Sequence, residues 1–256
     1  MTALDRVSLG DLFTLANGAL GFIAIVYVSE GNYLSATSVV LLSMVLDGLD
    51  GFMARRYGSK HSRGQILDSI SDSISFAFAP AFLLYAVFED PAVAPLQAPQ
   101  DVLVLACSVA FLVSGLFRLA RFSAGGFQLP HFAGLPAPGA ALFVILLCLL
   151  LGPVAGSEPS EYYFSFGEAP AAVLPAALVA SILMASTVPY PKMRGPMAVA
   201  SVVGVALALL PTVAGIALVG DQQLYTAFSR TATGIALALT TAYLVGGPLY
   251  ERRKRT

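Results

Sequence analysis

Long apolar segments separated by short polar ones recur along the whole chain. Each is long enough, or nearly long enough, for a helix to cross a hydrocarbon core of about 30 Å. The fifth segment is short and is flanked by Gly and Pro. The pattern predicts an all-α polytopic membrane protein with about eight transmembrane helices. The predicted spans are Leu12–Val28, Leu34–Met53, Ser69–Phe88, Val102–Leu119, Gly139–Val154, Ala169–Ser186, Met197–Val219 and Thr231–Tyr250.

The composition agrees with this class, because 57% of the residues are hydrophobic and 11% are charged. Ordinary soluble domains carry about 25% charged residues. A formal net charge of -1 offers no basic surface for nucleic acid. The chain shows no internal repeat and no low-complexity tract, so we interpret residues 1–256 as one membrane-embedded domain.

The distribution of Lys and Arg predicts the orientation in the membrane. When the N-terminus is placed in the cytoplasm, only Arg230 of the 14 basic residues falls on the outer side. The outer loops are then acidic or neutral, as the positive-inside rule requires. We therefore predict a multi-pass protein of the cell membrane with both termini in the cytoplasm. The first apolar run is interpreted as a retained helix and not as a signal peptide.

Cysteine and histidine do not indicate a metal site. Cys107 and Cys148 lie in the middle of predicted spans, where a free thiol acts as a small hydrophobic side chain. His61 and His131 lie in predicted cytoplasmic loops without Cys or His at ligand spacing. We interpret both histidines as solvated loop residues.

Four aspartates interrupt this apolar chain in two neighbouring predicted helices. Each residue of a helix advances by about 100°, so both helices have a polar face. The face of the first carries Asp47, Asp50, Gly51, Ala54 and Arg55. The face of the second carries Gly64, Asp68, Ser71, Asp72 and Ser75. The basic loop between them is short, so the helices should be antiparallel neighbours whose carboxylates converge just inside the cytoplasmic face.

A single acid at such a place has a plainer explanation, since Asp68 could be a first-turn acid favoured by the helix dipole. Four acids on facing stripes repel one another in a low-dielectric region and need compensation. A divalent cation compensates them, and all-oxygen ligation favours Mg²⁺ or Mn²⁺. Four carboxylates suit two metals about 3.5–4 Å apart. Arg55 can hold a phosphate oxygen, whereas Gly51 and Ala54 suit either ligand contact or helix packing.

The complete pattern is Asp47-x2-Asp50-Gly51-x2-Ala54-Arg55, eight residues, Gly64-x3-Asp68-x3-Asp72. It resembles the CDP-alcohol phosphotransferase motif at every fixed position. The resemblance implies a membrane enzyme that transfers the phosphatidyl group of a CDP-activated alcohol, usually CDP-diacylglycerol, to a second hydroxyl and releases CMP. It also implies a six-helix core, commonly a homodimer, with a cytoplasmic two-metal site. Two helices of this chain would be additions to that core.

The resemblance also implies roles for individual residues. Asp72 would act as the general base in addition to binding metal, and Arg55 resembles the phosphate-binding arginine. The metal ligands would be Asp47, Asp50, Asp68 and Asp72. The CDP-lipid site would include Asn17, Gly51, Ala54, Arg55 and Gly64.

Segments outside the motif resemble the phosphatidylserine synthase branch of the family, which includes bacterial phosphatidylserine and archaeal archaetidylserine synthases. They are "FTLANGALGF" at 13–22, "FRLARF" at 117–122, "GLPAPGA" at 134–140 and "MASTVPYPK" at 184–192. The resemblance implies L-serine as the second substrate, beside CDP-diacylglycerol or CDP-archaeol. Two positions depart from it, because Ser123 stands where Asn is usual and Gly10-Asp11 where Pro-Asn is usual.

A serine carboxylate needs a cation, and Arg118, Arg121 and Lys192 are candidates near cytoplasmic helix ends. Arg118 and Arg121 share a helix face, so the pair would hold either the serine carboxylate or a lipid phosphate. Lys192 would contact a lipid phosphate. Topological anchoring is the alternative for all three. The alternative functions are the same chemistry with glycerol phosphate or an inositol phosphate as acceptor, and divalent-cation transport.

Overall fold

A computed structural model describes residues 9–57, 62–89, 99–125, 131–152, 169–191, 203–209 and 222–253 of the chain. Side chains are described in these ranges apart from those of residues 9, 50–57, 62–63, 169–170 and 222–227. The helices are α1 (Leu9–Ser29), α2 (Tyr33–Tyr57), α3 (Ser62–Asp72), a π-helical segment (Ser73–Phe78), α4 (Ala79–Phe88), α5 (Pro99–Ser123), α6 (Ala137–Leu151), α7 (Ala169–Ala185) and α8 (Gln222–Arg253). Residues 203–209 are also helical. Two short strands, β1 (Phe132–Ala133) and β2 (Pro189–Tyr190), complete the described elements.

The helices form a membrane bundle. Four of them in the described ranges are long and apolar enough to cross a membrane, namely Gly10–Ser29, Gly64–Phe88, Pro99–Ser123 and Phe228–Arg253. Shorter apolar helices are Tyr33–Leu49, Ala137–Leu151 and Ala171–Ala185. Large apolar side chains face outward, including Phe22 at 62% exposed and Val245 at 59%, as lipid contact requires. The all-α polytopic class is therefore confirmed.

The number of spans remains a prediction. Every predicted span except Met197–Val219 overlaps described helical residues, although α8 begins earlier than predicted and α6 ends at Leu151, before the predicted Val154. Met197–Val219 lies outside the described residues apart from 203–209.

Helix α6 occupies the interior of the bundle. Almost every residue from Ala137 to Cys148 is buried, because its sequence is apolar on all sides and so needs neighbours all round. Proline in its first turn fits the helix start, where the missing N–H has no intrahelical partner to lose. The helix packs against α4, α7 and α8.

Helix α1 packs closely against α3 and the π-helical segment because it presents glycine at the contact. A Cβ added to Gly18 would lie 3.0 Å from Ser71 Oγ, and one added to Gly21 would lie 2.8 Å from the backbone of Ser75. Ser75 Oγ donates a hydrogen bond to the carbonyl of Asn17 at 2.8 Å. Small residues let membrane helices approach, so this contact sets where α1 places its polar side chains.

The two strands form an antiparallel ribbon beside the ends of α5 and α7. Phe132 of β1 lies opposite Tyr190 of β2. Gly134 follows β1 with a φ of 85°, and a Cβ there would lie 2.6 Å from the carbonyl oxygen of Met184. Only glycine suits this position, since both the backbone angle and the space exclude a side chain.

Helix α8 packs on this ribbon through two tyrosines. The rings of Tyr190 and Tyr243 lie 5.8 Å apart between centroids. The Tyr190 hydroxyl donates to the carbonyl of Leu244 at 2.9 Å, and the Tyr243 hydroxyl donates to that of Pro191 at 3.3 Å. Burial raises the pKa of Tyr190 to about 12, so its phenol remains a neutral donor at physiological pH.

The glycine contact of α1 gives the first prediction. Gly21→Ala should destabilise the protein by ~1–3 kcal/mol, because the added methyl group meets the backbone of Ser75. Gly234→Ala is the control, since its Cβ would meet no atom within 4 Å. That variant should be neutral or up to ~1 kcal/mol more stable, because alanine favours the helix. Thermal unfolding in detergent measures both, and equal unfolding temperatures would contradict the close contact.

Candidate functional site

Three carboxylates come together from two helices. Asp47 belongs to α2 and Asp68 and Asp72 to α3, and one oxygen of each lies within 4.8 Å of the others. Asp68 and Asp72 are one helical turn apart and so share a face, while α2 and α3 both pack against α1. Asp72 is 8% exposed, whereas the other two are half-buried. The structure thus brings together three of the four aspartates that the sequence placed on facing stripes.

Asn17 reaches this cluster from α1. Its Nδ2 donates a hydrogen bond to Asp72 Oδ1 at 3.0 Å, and its side chain is fully buried. Its Oδ1 is buried too and has no hydrogen-bond partner among the described residues. A buried amide oxygen left unsatisfied costs about 1–3 kcal/mol. This oxygen therefore suits a ligand that brings a cation or a donor to the cluster.

The cluster fits a divalent cation. The buried Arg118 on α5 interacts electrostatically with Asp72 and Asp47, and three carboxylates so close together in a low-dielectric region attract a cation. The available donor atoms are carboxylate and amide oxygens, which are the ligands that Mg²⁺ and Mn²⁺ take.

Arg118 also lines a pocket of about 390 Å³. Its guanidinium carbon lies 5.2 Å from the ring centroid of Phe122 and 5.7 Å from that of Phe132, within the range of a cation–π interaction. Small-molecule sites typically measure about 300–1,000 Å³. The pocket is lined by Arg118, Arg121, Phe122, Ala124, Gly125, Phe132 and Ala133. Arg118 therefore connects the acid cluster with a cavity of ligand size.

Arg121 uses its guanidinium differently, although it lies on the same helix face. Its Nη2 donates to the carbonyls of Ala133, of Ser186 at 2.8 Å and of Met184 at 3.3 Å. Its Nη1 donates to the carbonyl of Ala185 at 3.2 Å. These carbonyls belong to β1 and to the end of α7, where a cation also meets the negative end of the helix dipole. Arg121 therefore joins α5, α7 and the ribbon.

The structure describes the other residues that the sequence predicted for the site to different extents. Gly64 lies beside Asp11, because a Cβ added there would be 3.3 Å from Asp11 Oδ1. Four residues belong to α2, but their side chains lie outside the described set: Asp50, Gly51, Ala54 and Arg55. His61 and Lys192 lie outside the described residues.

Two further polar residues can be placed. Ser123, where the resembled branch usually has Asn, shares a hydrogen bond with Ser69 Oγ and donates to the carbonyl of Leu119 at 3.0 Å. Ser123 thus ties α5 to α3. His131 is half-buried, and its Nδ1 has no hydrogen-bond partner among the described residues.

Sequence reasoning missed the contacts of Phe132, Tyr190 and Tyr243 beside Arg118. Aromatic residues are common in apolar chains, so their presence alone carried no signal. The segment at 184–192 contains Tyr190 and was noted for its resemblance, but its pairing with β1 joins residues far apart in sequence.

A family model described as CDP-alcohol phosphatidyltransferase matches residues 7–188, which is well over half of the chain. The protein belongs to this family. The match includes the acid cluster, Asn17, Arg118 and strand β1, and it ends directly before β2 and well before α8.

Several members of the family with assigned names are similar to this chain. The CDP-diacylglycerol–serine O-phosphatidyltransferase of Methanocaldococcus jannaschii is 33% identical over 186 residues, covering 73% of this chain and 75% of the relative. The archaetidylserine synthase of Methanothermobacter thermautotrophicus is 32% identical over 196 residues, covering 74% and 72%. The CDP-diacylglycerol–serine O-phosphatidyltransferase of Bacillus subtilis is 29% identical over 143 residues, covering 56% and 76%.

The acid cluster gives the second prediction. Asp68→Asn keeps the side-chain volume but removes one charge, so it should weaken Mn²⁺ binding by about tenfold or more. Asp101→Asn is the matched control, because Asp101 is also buried but lies in the first turn of α5, at the end away from Arg118. Mn²⁺ titration followed by electron paramagnetic resonance compares them. Unchanged affinity of Asp68→Asn would exclude this carboxylate from the metal site.

Proposed function

We propose that the protein transfers the phosphate-linked lipid group of a CDP-activated lipid to the hydroxyl of L-serine and releases CMP. The new bond joins the serine oxygen to the lipid phosphorus, and the bond from that phosphorus to the CMP oxygen breaks. The bonding electrons leave with CMP, and the serine proton needs a base. The observation that carries the proposal is the acid cluster beside an arginine-lined pocket, in a chain similar to enzymes named for this reaction.

Asp72 is the proposed base. It is the most buried of the three clustered carboxylates, and the hydrogen bond from Asn17 Nδ2 occupies one of its oxygens. That bond orients the carboxyl group and leaves the other oxygen to accept a proton from an incoming hydroxyl. Burial within the bundle also keeps bulk water from competing with serine.

Asp47, Asp50, Asp68 and Asp72 are the proposed metal ligands. Mg²⁺ or Mn²⁺ bound there would neutralise charge on the pyrophosphate of the CDP-lipid. Asn17, Gly51, Ala54, Arg55 and Gly64 are proposed to contact the CDP-lipid. For Asn17 the support is its buried Oδ1 next to the cluster.

The pocket beside Arg118 is the proposed acceptor site. A serine zwitterion must keep its carboxylate away from the aspartates while its hydroxyl approaches them, and Arg118 stands between the pocket and the acids. The rings of Phe122 and Phe132 lie within cation–π distance of the Arg118 guanidinium carbon. The planar guanidinium can bind a carboxylate through two N–H groups. Lys192 remains a proposed contact for a lipid phosphate.

The third prediction tests the reaction itself. Purified protein with CDP-diacylglycerol or CDP-archaeol should release CMP when serine is added, and not when glycerol phosphate or an inositol phosphate is added. Asp72→Asn should lower kcat by ~10²–10⁴-fold and lower the affinity for the CDP-lipid by much less, because the base acts in the chemical step. Release of CMP with a phosphorylated acceptor and none with serine would disprove the proposed acceptor.

The fourth prediction separates the two arginines. Arg118→Lys keeps the charge but loses the planar fork, so the KM for serine should rise ~10–100-fold, as expected for a lost hydrogen bond to a charged group. The KM for the CDP-lipid should change much less. Arg121→Lys cannot satisfy the carbonyls of β1 and α7, so its main effect should be a lower unfolding temperature. A selective rise in serine KM for Arg121→Lys alone would reverse these assignments.

The fifth prediction concerns orientation, since we propose that the pocket faces the cytoplasm. Ala124 lines the pocket, and Glu30 follows α1 in the first predicted outer loop. Both residues are exposed. An impermeant maleimide should label Glu30→Cys in intact cells and Ala124→Cys only after the cells are opened. The native Cys107 and Cys148 are buried and should contribute little background. The reverse labelling pattern would place the pocket outside.

A further inference from the structure

The ribbon of β1 and β2 lies between Arg118 and helix α8. On one side the ring centroid of Phe132 is 5.7 Å from the guanidinium carbon of Arg118. Phe132 lies opposite Tyr190 in the ribbon, and the Tyr190 ring is 5.8 Å from the ring of Tyr243 on α8. A continuous series of contacts therefore runs from α8 through the ribbon to the pocket arginine.

Two hydrogen bonds join the ribbon to α8, one donated by a ribbon residue and one donated by a residue of α8. The Tyr190 hydroxyl donates to Leu244 on α8 at 2.9 Å, and the Tyr243 hydroxyl donates to Pro191, next to β2, at 3.3 Å. Gly247 permits this approach, because a Cβ there would lie only 3.1 Å from the Tyr190 ring. The position of the ribbon thus depends on α8.

Helix α8 lies beyond residues 7–188, which match the family model, so membership of the family assigns it no role. Part of its surface is outward and apolar, with Val245 and Leu249 each 59% exposed. The surface that carries Tyr243 and Gly247 contacts the ribbon instead. A helix that only anchored the chain in lipid would not need this second surface.

We propose that α8 is a positioning element of the acceptor pocket. Through Tyr243 and Tyr190 it holds Phe132 against Arg118 and so fixes the direction of the guanidinium. Arg121 holds the same ribbon from the other side, by donating to the carbonyl of Ala133. An arginine side chain has many rotamers, so a defined direction requires such support. The inference rests on the proposed function for the identity of the acceptor, and not for the position of Arg118.

Two adjacent glycines provide a matched test. A Cβ at Gly247 would press on the Tyr190 ring, whereas a Cβ at Gly246 would meet no atom within 4 Å, so we compare Gly247→Val with Gly246→Val. Gly247→Val should raise the KM for serine roughly 3- to 10-fold, as for coupled neighbouring groups, with kcat and the KM for the CDP-lipid little changed. Gly246→Val should behave like the original protein. Tyr243→Phe, which loses only the hydroxyl bond, should raise the serine KM by less.

A general structural role for α8 gives a different result. A general structural role would make Gly247→Val lower kcat and weaken the binding of both substrates together. That outcome would overturn the proposal. Equal serine KM values for the two valine variants would overturn it as well. In the double variant Arg118→Lys with Gly247→Val, the serine KM should be no higher than in Arg118→Lys alone, because the effect passes through Arg118. A serine KM that rises by the product of the two single-variant effects would show that Gly247→Val does not act through Arg118.

A spectroscopic measurement separates this inference from the proposed function. The chain contains no tryptophan, so Phe132→Trp introduces a single emission reporter next to Arg118. Gly247→Val in this background should shift the emission to longer wavelength and increase quenching by iodide, whereas Gly246→Val should not. Unchanged emission would reject the inference even if serine is the acceptor. Shifted emission without serine-dependent CMP release would reject the proposed function alone.

Discussion

Repulsion among carboxylates inside a low-dielectric bundle is the constraint on which the site depends. Asp47, Asp68 and Asp72 place oxygens within 4.8 Å of one another, and such a group persists only if its charge is compensated. Asn17 from α1 donates a hydrogen bond to Asp72, and Arg118 from α5 interacts electrostatically with Asp72 and Asp47. A divalent cation fits the oxygen atoms of the cluster. Side chains from α1, α2, α3 and α5 therefore meet at this cluster.

The close approach of α1 makes this compensation possible. Ser71 packs against Gly18, and the backbone of Ser75 packs against Gly21. This close contact places Asn17 within hydrogen-bonding distance of Asp72. The π-helical segment begins at Ser73, directly after Asp72. Such segments are frequent at functional sites because they change the side-chain direction within a continuous helix. Tight helix packing and local irregularity together orient the proposed base.

The two arginines of α5 have different partners in the tertiary structure, although they lie on the same helix face. Arg121 is surrounded by the backbone carbonyls of β1 and the end of α7, whereas Arg118 lies between aromatic rings and the acid cluster. The ribbon contacts both side chains and is itself held by α8. Contacts therefore run without a break from the pocket through the ribbon to α8.

The amino-acid sequence by itself determined the helical membrane class and the stripes that bring Asp68 and Asp72 onto one face. These features depend on length, hydropathy and helical spacing, which act locally along the chain. Family membership was also readable, because the motif at 47–72 has fixed spacing. Only the tertiary structure decided that Asn17 bonds Asp72, that Arg118 and Arg121 take different partners and that Tyr243 contacts the ribbon. Each depends on helices distant in sequence, and local periodicity does not specify how such helices pack.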